Sequence, residues 1–258
     1  MRFLIITAVC FFAGMGAGLG TGFAGMSAAA VITPMLVTFL GIEPYTAVGI
    51  ALASDVLASA VSAYTYGKNK NLDIKNGIVM MITVLLFTVI GSYVSSLVPS
   101  ATMGNFSVFM TLLLGIKFII KPVMTTKEDM AAISMKQRII KSIICGMIIG
   151  FICGFIGAGG GMMMLLLLTS VMGYELKTAV GTSVFIMTFT ALTGSLSHFA
   201  IGGLPDKLPF ILCVAFTLLF ARIAAKTANK ASAKTLNRIT GVILVVLGVV
   251  VLGFSFVK

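Results

Sequence analysis

Two glycine-rich segments and one carboxylate hold most of the chemistry that this sequence offers. Gly20-Thr21-Gly22-Phe23-Ala24-Gly25-Met26-Ser27 and Gly154-Phe155-Ile156-Gly157-Ala158-Gly159-Gly160-Gly161 each join two apolar runs, and neither contains a charge. Glycine lets a backbone turn sharply and leaves N–H groups uncovered by side chains. A helix that begins after such a bend directs the positive end of its dipole at it. Together these bind an anion without any cationic side chain. Close helix packing selects the same small residues; recurrence of the pattern in both halves favours the anion site. Gly22, Gly25 and Ser27 of the first segment, and Gly157, Gly159, Gly160 and Gly161 of the second, are the candidate substrate-binding residues.

Ser54 and Asp55 lie in the middle of an apolar run, and Thr182 and Ser183 lie in the matching run further on. Ser54, Thr182 and Ser183 complete the candidate cavity. Asp55 is the only carboxylate deep in an apolar run, where charge is costly enough to point to ion or proton coupling. The plainer alternative is a protonated Asp hydrogen-bonded to a neighbouring helix. His198 is the only histidine, and its place four residues before Gly202 suits capping or an interface. Glu43 and Glu175 occupy matching short turns, where capping and dipole pairing explain them. Ser27 with His198 could be cast as the pair of an intramembrane hydrolase, but such a pair would not account for a doubled sequence. No catalytic residue, cofactor or metal ligand is assigned. Cys10, Cys145, Cys153 and Cys213 sit inside apolar runs without a CxxC pair, as packing residues do.

Membrane helices must position these groups. Of 258 residues, 59% are apolar and only 10% are charged, where a soluble domain carries about 25% charged. The apolar stretches are continuous, which excludes the alternating strands of a membrane barrel. Ten runs can be read: Leu4–Leu19, Phe23–Leu40, Thr46–Tyr66, Ile78–Val98, Phe106–Ile120, Ile143–Ile156, Met162–Met172, Ala179–Ile201, Leu208–Ala221 and Ile239–Val257. The fold class is an all-α polytopic membrane protein. Its formal charge of +11 reflects basic residues kept in cytoplasmic loops, so the partners expected are a small anion and membrane lipid, not nucleic acid. A homo-oligomer stays open.

With ten crossings and the N-terminus outside, the inside loops hold Lys68, Lys70, Lys75, the linker cations Lys121 to Lys141, Lys177, and the cluster Arg222, Lys226, Lys230, Lys234 and Arg238. Arg2, Lys207 and Lys258 remain outside. If Phe23–Leu40 and Met162–Met172 only dip in and return, there are eight crossings and the last cluster moves outside, so ten is preferred. Both termini then face outside the inner (plasma) membrane and the linker is cytoplasmic. On a single helix, the cluster from Arg222 to Arg238 would form one basic stripe facing anionic headgroups. Thr125-Thr126-Lys127-Glu128 resembles a capping box that opens a short linker helix.

An offset of 132 residues superimposes the chain on itself. Gly14, Met15 and Gly18 meet Gly146, Met147 and Gly150; Gly22, Phe23 and Gly25 meet Gly154, Phe155 and Gly157. Glu43 meets Glu175, and Thr46-Ala47-Val48-Gly49 meets Thr178-Ala179-Val180-Gly181, all without a gap. The duplication includes Met1–Gly14, which is therefore expected to be retained despite its likeness to a secretory signal. Residues 1–120 form the first transmembrane repeat, 121–141 a basic cytoplasmic linker and 142–258 the second repeat. Five runs per half would insert the second half upside down, the inverted-repeat plan that places a binding site at the midplane.

The second glycine segment, Thr178-Ala179-Val180-Gly181-Thr182-Ser183, and His198 ahead of Gly202-Gly203 resemble the TauE/SafE sulfite exporter family. Gly22-Phe23-Ala24-Gly25 with Ala47-Val48-Gly49 is the weaker first copy, and Ser27-Ala28-Ala29 stands where the second copy has three glycines. The resemblance implies an inner-membrane permease for small anions, notably sulfite, sulfoacetate and other organosulfonates.

Overall fold

Helix length decides which segments can span a bilayer. The structure, a computed structural model, describes residues 2–96, 112–113, 115–156 and 160–256. Among them the chain forms ten helices and a helical stretch at 115–120, with no strand. Helix α1 (Arg2–Ala24) is followed by α2 (Ala29–Leu40), α3 (Pro44–Lys68) and α4 (Ile74–Ser96). A short linker helix, α5 (Lys127–Ala131), precedes α6 (Met135–Ile156), α7 (Gly160–Ser170), α8 (Leu176–Gly202), α9 (Lys207–Lys230) and α10 (Ala233–Phe256). Six stretches of the described residues are long and apolar enough to cross a membrane, in α1, α3, α4, α8, α9 and α10.

Helices α2 and α7 have 12 and 11 residues. At 1.5 Å per residue each reaches about 18 Å, well short of a hydrocarbon core of about 30 Å. The expectation of ten full crossings is corrected accordingly. Both short helices also turn back. Ile5 and Ile6 near the start of α1 share one cavity with Phe39 and Leu40 at the end of α2, so α2 returns to the side that α1 left. Ser170 at the end of α7 accepts a hydrogen bond from Lys117, and Gly173 lies beside Ile133 of the linker. Because each short helix doubles back, the basic loops still share one end of the molecule. Lys127 Nζ donates to the Lys70 carbonyl (3.0 Å), Lys177 Nζ to the Asn229 carbonyl (3.0 Å) and Asn71 Nδ2 to Asn229 Oδ1 (2.6 Å).

Local signals account for several boundaries. Glu43 caps α3, its carboxylate accepting the N–H groups of Tyr45 (3.0 Å) and Thr46 (2.8 Å). These bonds hold its carboxyl below the usual glutamate range. Pro44 follows at the first helical position, where its missing N–H costs nothing. Glu175 has the equivalent place, but its side chain caps no backbone N–H and accepts from Thr178 Oγ1 instead. The linker capping box falls one residue later than the sequence suggested: Thr126 is the cap and Asp129 its partner. The basic stripe is corrected as well. Helix α9 ends at Lys230, and an extended Ala231 breaks the chain before α10, so Lys234 and Arg238 belong to a second helix.

The 132-residue offset carries over to helix boundaries: α1, α2, α3 and α4 map onto α6, α7, α8 and α9 within about two residues. The first helix of each half packs on the fourth of the other, α1 on α9 and α6 on α4, while α3 packs on α8. Many matched glycines serve these contacts. A Cβ added at Gly14 would lie 2.6 Å from Phe216 Cβ, and one at Gly18 2.6 Å from the Thr217 carbonyl. At Gly146 the nearest atom would be Thr83 Cβ at 2.8 Å, and Gly150 abuts the Val84 carbonyl. Small residues let helix backbones approach this closely in a membrane.

Candidate functional site

The first bend is built by its own backbone. Gly25 has φ +60, a conformation that side chains other than glycine rarely adopt. Its N–H donates to the Thr21 carbonyl (2.9 Å), Met26 N–H donates to the Gly20 carbonyl (3.2 Å), and Thr21 Oγ1 donates to the Met26 carbonyl (2.8 Å). Asp55 reaches this bend from the middle of α3, with 1% of its surface exposed. Its carboxylate accepts Ser27 Oγ at 2.8 Å and Ser59 Oγ at 2.9 Å, and the Ala28 N–H also hydrogen-bonds to it. Helix α2 begins at Ala29, so the carboxylate lies on the positive end of that helix. In the first half, the place proposed for a bound anion is filled by the protein's own Asp55.

Gly161 in the first turn of α7 meets the first bend. A Cβ added at Gly161 would lie 2.5 Å from the Gly25 carbonyl oxygen, 3.0 Å from the Ser27 nitrogen and 2.7 Å from Met187 Sδ. Ser183 Oγ donates to the Gly25 carbonyl (3.1 Å) and lies 3.7 Å from Met187 Sδ. Gly25, Ser27, Asp55, Gly161 and Ser183 are thus brought together. Gly160 opens α7, while Gly157 and Gly159 lie outside the described residues. At the 132-residue offset, Asp55 corresponds to Met187, Ser59 to Ala191 and Ser27 to Gly159. The carboxylate and both hydroxyls of the first half therefore have no polar counterpart in the second.

Three candidates stand elsewhere. Gly22 packs its α-carbon against Ala224 of α9, and its carbonyl accepts the Tyr66 hydroxyl (2.8 Å). Ser54 donates to the Ile50 carbonyl within its own helix (2.8 Å). Thr182 Oγ1 accepts the Asp73 N–H (3.2 Å) at the basic end of the molecule. Nor does the fold form the serine–histidine pair. Ser27 is engaged by Asp55, while the His198 ring stacks on Tyr45 with centroids 4.4 Å apart and its Nδ1 lies 2.9 Å from the Gly194 carbonyl. Among the described residues no three His, Cys, Asp or Glu side chains gather as a metal site.

Sequence reasoning missed Ser59, Thr21, Tyr66 and Met187. Ser59 was within reach, since it stands four residues from Asp55 and so on the same helix face. Ser62 continues that face, fully buried, and its hydroxyl has no partner among the described residues.

Membrane-spanning helices with two half-length helices among them, one starting against the bend that precedes the other, define an all-α polytopic membrane protein. The sulfite exporter TauE/SafE family matches residues 10–251. The chain belongs to that family. It is 27% identical to the probable membrane transporter protein YunE of Bacillus subtilis, over 96% of each chain. It is 26% identical to a probable membrane transporter protein of Methanocaldococcus jannaschii, over 97% of each. No solved structure matches the chain. Family and relatives agree on a membrane transporter.

Proposed function

We propose that this transporter moves a small anion, sulfite, sulfoacetate or another organosulfonate, by alternating access around the junction of the two bends. The observation that supports this reading most is the contact of Gly161 with Gly25 and Ser27, beside the buried Asp55. The substrate anion binds at the N-terminus of α7, where the helix dipole favours negative charge and the residue matching Asp55 is the uncharged Met187. Asp55 couples transport to a cation, most simply a proton. Two negative charges in one buried site disfavour each other, so an anion at α7 and a proton on Asp55 bind cooperatively, each helping the other by the same coupling energy. The halves form an inverted repeat in the cell inner membrane, with the termini outside and the linker in the cytoplasm.

Purified protein in liposomes tests the reading. Uptake of sulfite or sulfoacetate that saturates with concentration is expected of a carrier. Flux rising linearly without saturation would replace it with a channel, and no flux of either would remove the substrate assignment.

A further inference from the structure

The end that gathers the basic loops contains a cavity of about 330 Å³ whose lining includes Lys70, Lys75, Lys127 and Arg138, with Asp73 and Asn76 between them. The four cations come from four separate segments: the loop after α3, the first turn of α4, the linker helix α5 and the start of α6. Among the described residues no carboxylate forms an ion pair with any of them. Asp73, the carboxylate in the lining, is already occupied by the Tyr174 hydroxyl (2.7 Å) and by Asn76 Nδ2 (2.7 Å) and N–H (3.2 Å). Arg138 donates through one terminal nitrogen to the Met130 carbonyl, but its buried Nε–H has no acceptor among the described residues. Such a donor is unfavourable unless something supplies an acceptor.

Insertion into a membrane explains why loops on one side are basic. It does not explain why cations from four segments converge on one cavity, with the Arg138 Nε–H left without an acceptor among the described residues. We propose that this cavity binds a phosphate-bearing anion, separate from the transported substrate. Four cations against one carboxylate suit a multiply charged anion, and a guanidinium Nε–H without an acceptor among the described residues suits phosphate oxygens. The source is either an anionic lipid headgroup or a soluble phosphate compound. Bound there, it joins the linker to α4 beside Asp73, whose N–H reaches Thr182 and whose carboxylate accepts from Tyr174. The ligand would therefore hold together the basic end of the molecule.

The test uses the full chain in neutral detergent and follows thermal unfolding. One arm adds inorganic pyrophosphate against sodium chloride of equal ionic strength. The other uses phosphatidylcholine vesicles with or without phosphatidylglycerol. Stabilisation by pyrophosphate identifies a soluble ligand, and stabilisation by phosphatidylglycerol a lipid. Lys75→Gln with Lys127→Gln should weaken the response about tenfold, since two charge-assisted contacts are lost. Lys226→Gln with Lys234→Gln removes equal charge outside the cavity lining and should leave it unchanged. Lys75→Gln alone keeps the test readable if the double variant misfolds, because no hydrogen bond of its side chain is present among the described residues. Failure of both probes to stabilise beyond chloride, or an equal loss in both double variants, overturns the proposal.

Discussion

At the first bend, Asp55 sets a carboxylate on the N-terminal end of α2, held by Ser27, Ser59 and the Ala28 N–H. At the second, the residue one repeat later is Met187, and its sulfur lies near the place where a Gly161 side chain would be. Duplication supplies two short helices with equivalent positive ends, and a single side chain then decides how each is used. A carboxylate at a helix N-terminus is stabilising by about 0.3–1 kcal/mol, and up to ~2 when partly buried. The first bend satisfies that preference internally. The second has the uncharged Met187 at the matching position, and on that difference rests our proposal of the anion at α7 and the coupling group at α2.

The comparison breaks most completely at Gly161. In Gly161→Val the new Cβ would overlap the Gly25 carbonyl and the Ser27 nitrogen, both backbone atoms that cannot swing aside. Overpacking of this kind costs about 1–3 kcal/mol. The protein should melt earlier, and sulfite should no longer raise its melting temperature. A melt that sulfite still raises as in wild type would contradict the placement of the anion.

Met187→Asp should come next. It copies the first bend's carboxylate into the second, so sulfite stabilisation should disappear while the neutral Met187→Asn keeps most of it. Met187→Leu, nearly equal in volume, should cost less than about 1.5 kcal/mol and leave binding intact. Equal anion binding in the Asp and Asn variants would mean that charge at this position does not matter.

Tyr66→Phe sharpens the contrast from the packing side. It removes the hydroxyl that donates to the Gly22 carbonyl, worth about 1 kcal/mol, and should lower thermal stability without changing anion affinity. A large loss of affinity would return Gly22 to the binding site.

The smallest effect belongs to the matched glutamates Glu43 and Glu175. The Glu43 carboxyl is held below its usual range by the Tyr45 and Thr46 N–H groups. A depressed carboxylate contributes stability above its unfolded pKa and loses it as pH falls through the folded one. Glu43→Ala should therefore melt slightly earlier at neutral pH, and the gap should close as the medium is acidified below the ordinary carboxylate range. Glu175→Ala, which loses no cap to the backbone, should show little difference at any pH.

The membrane class, the duplication and the first glycine bend were legible because each is written along the chain: continuous apolar runs, a fixed offset and an uncharged gap. The meeting of Ser27 with Asp55 was not, since the two are 28 positions apart, one in the bend before α2 and the other in the middle of α3. The break between α1 and α2 was only partly visible, because Phe23–Leu40 reads as one unbroken apolar run although Phe23 and Ala24 complete α1. Thr182 was assigned with its neighbour Ser183, but adjacent residues on a helix face directions about 100° apart. Ser183 turns to the bend and Thr182 to the Asp73 loop. Glycines spaced by four, Gly14, Gly18 and Gly22, carried a helix-packing signal that the first bend's pattern obscured.

The central claim is that Asp55 couples the anion to a cation while the anion itself rests at α7. Sulfite uptake into liposomes under an imposed pH gradient, comparing wild type with Asp55→Asn, tests it most directly. Asn keeps the shape of the protonated carboxyl and cannot release its charge. The account predicts that wild type concentrates sulfite under the gradient, whereas Asp55→Asn exchanges it between equal pools without concentrating it. An Asp55→Asn protein that concentrates sulfite as well as wild type would contradict the account, leaving Asp55 as a structural acceptor for Ser27 and Ser59.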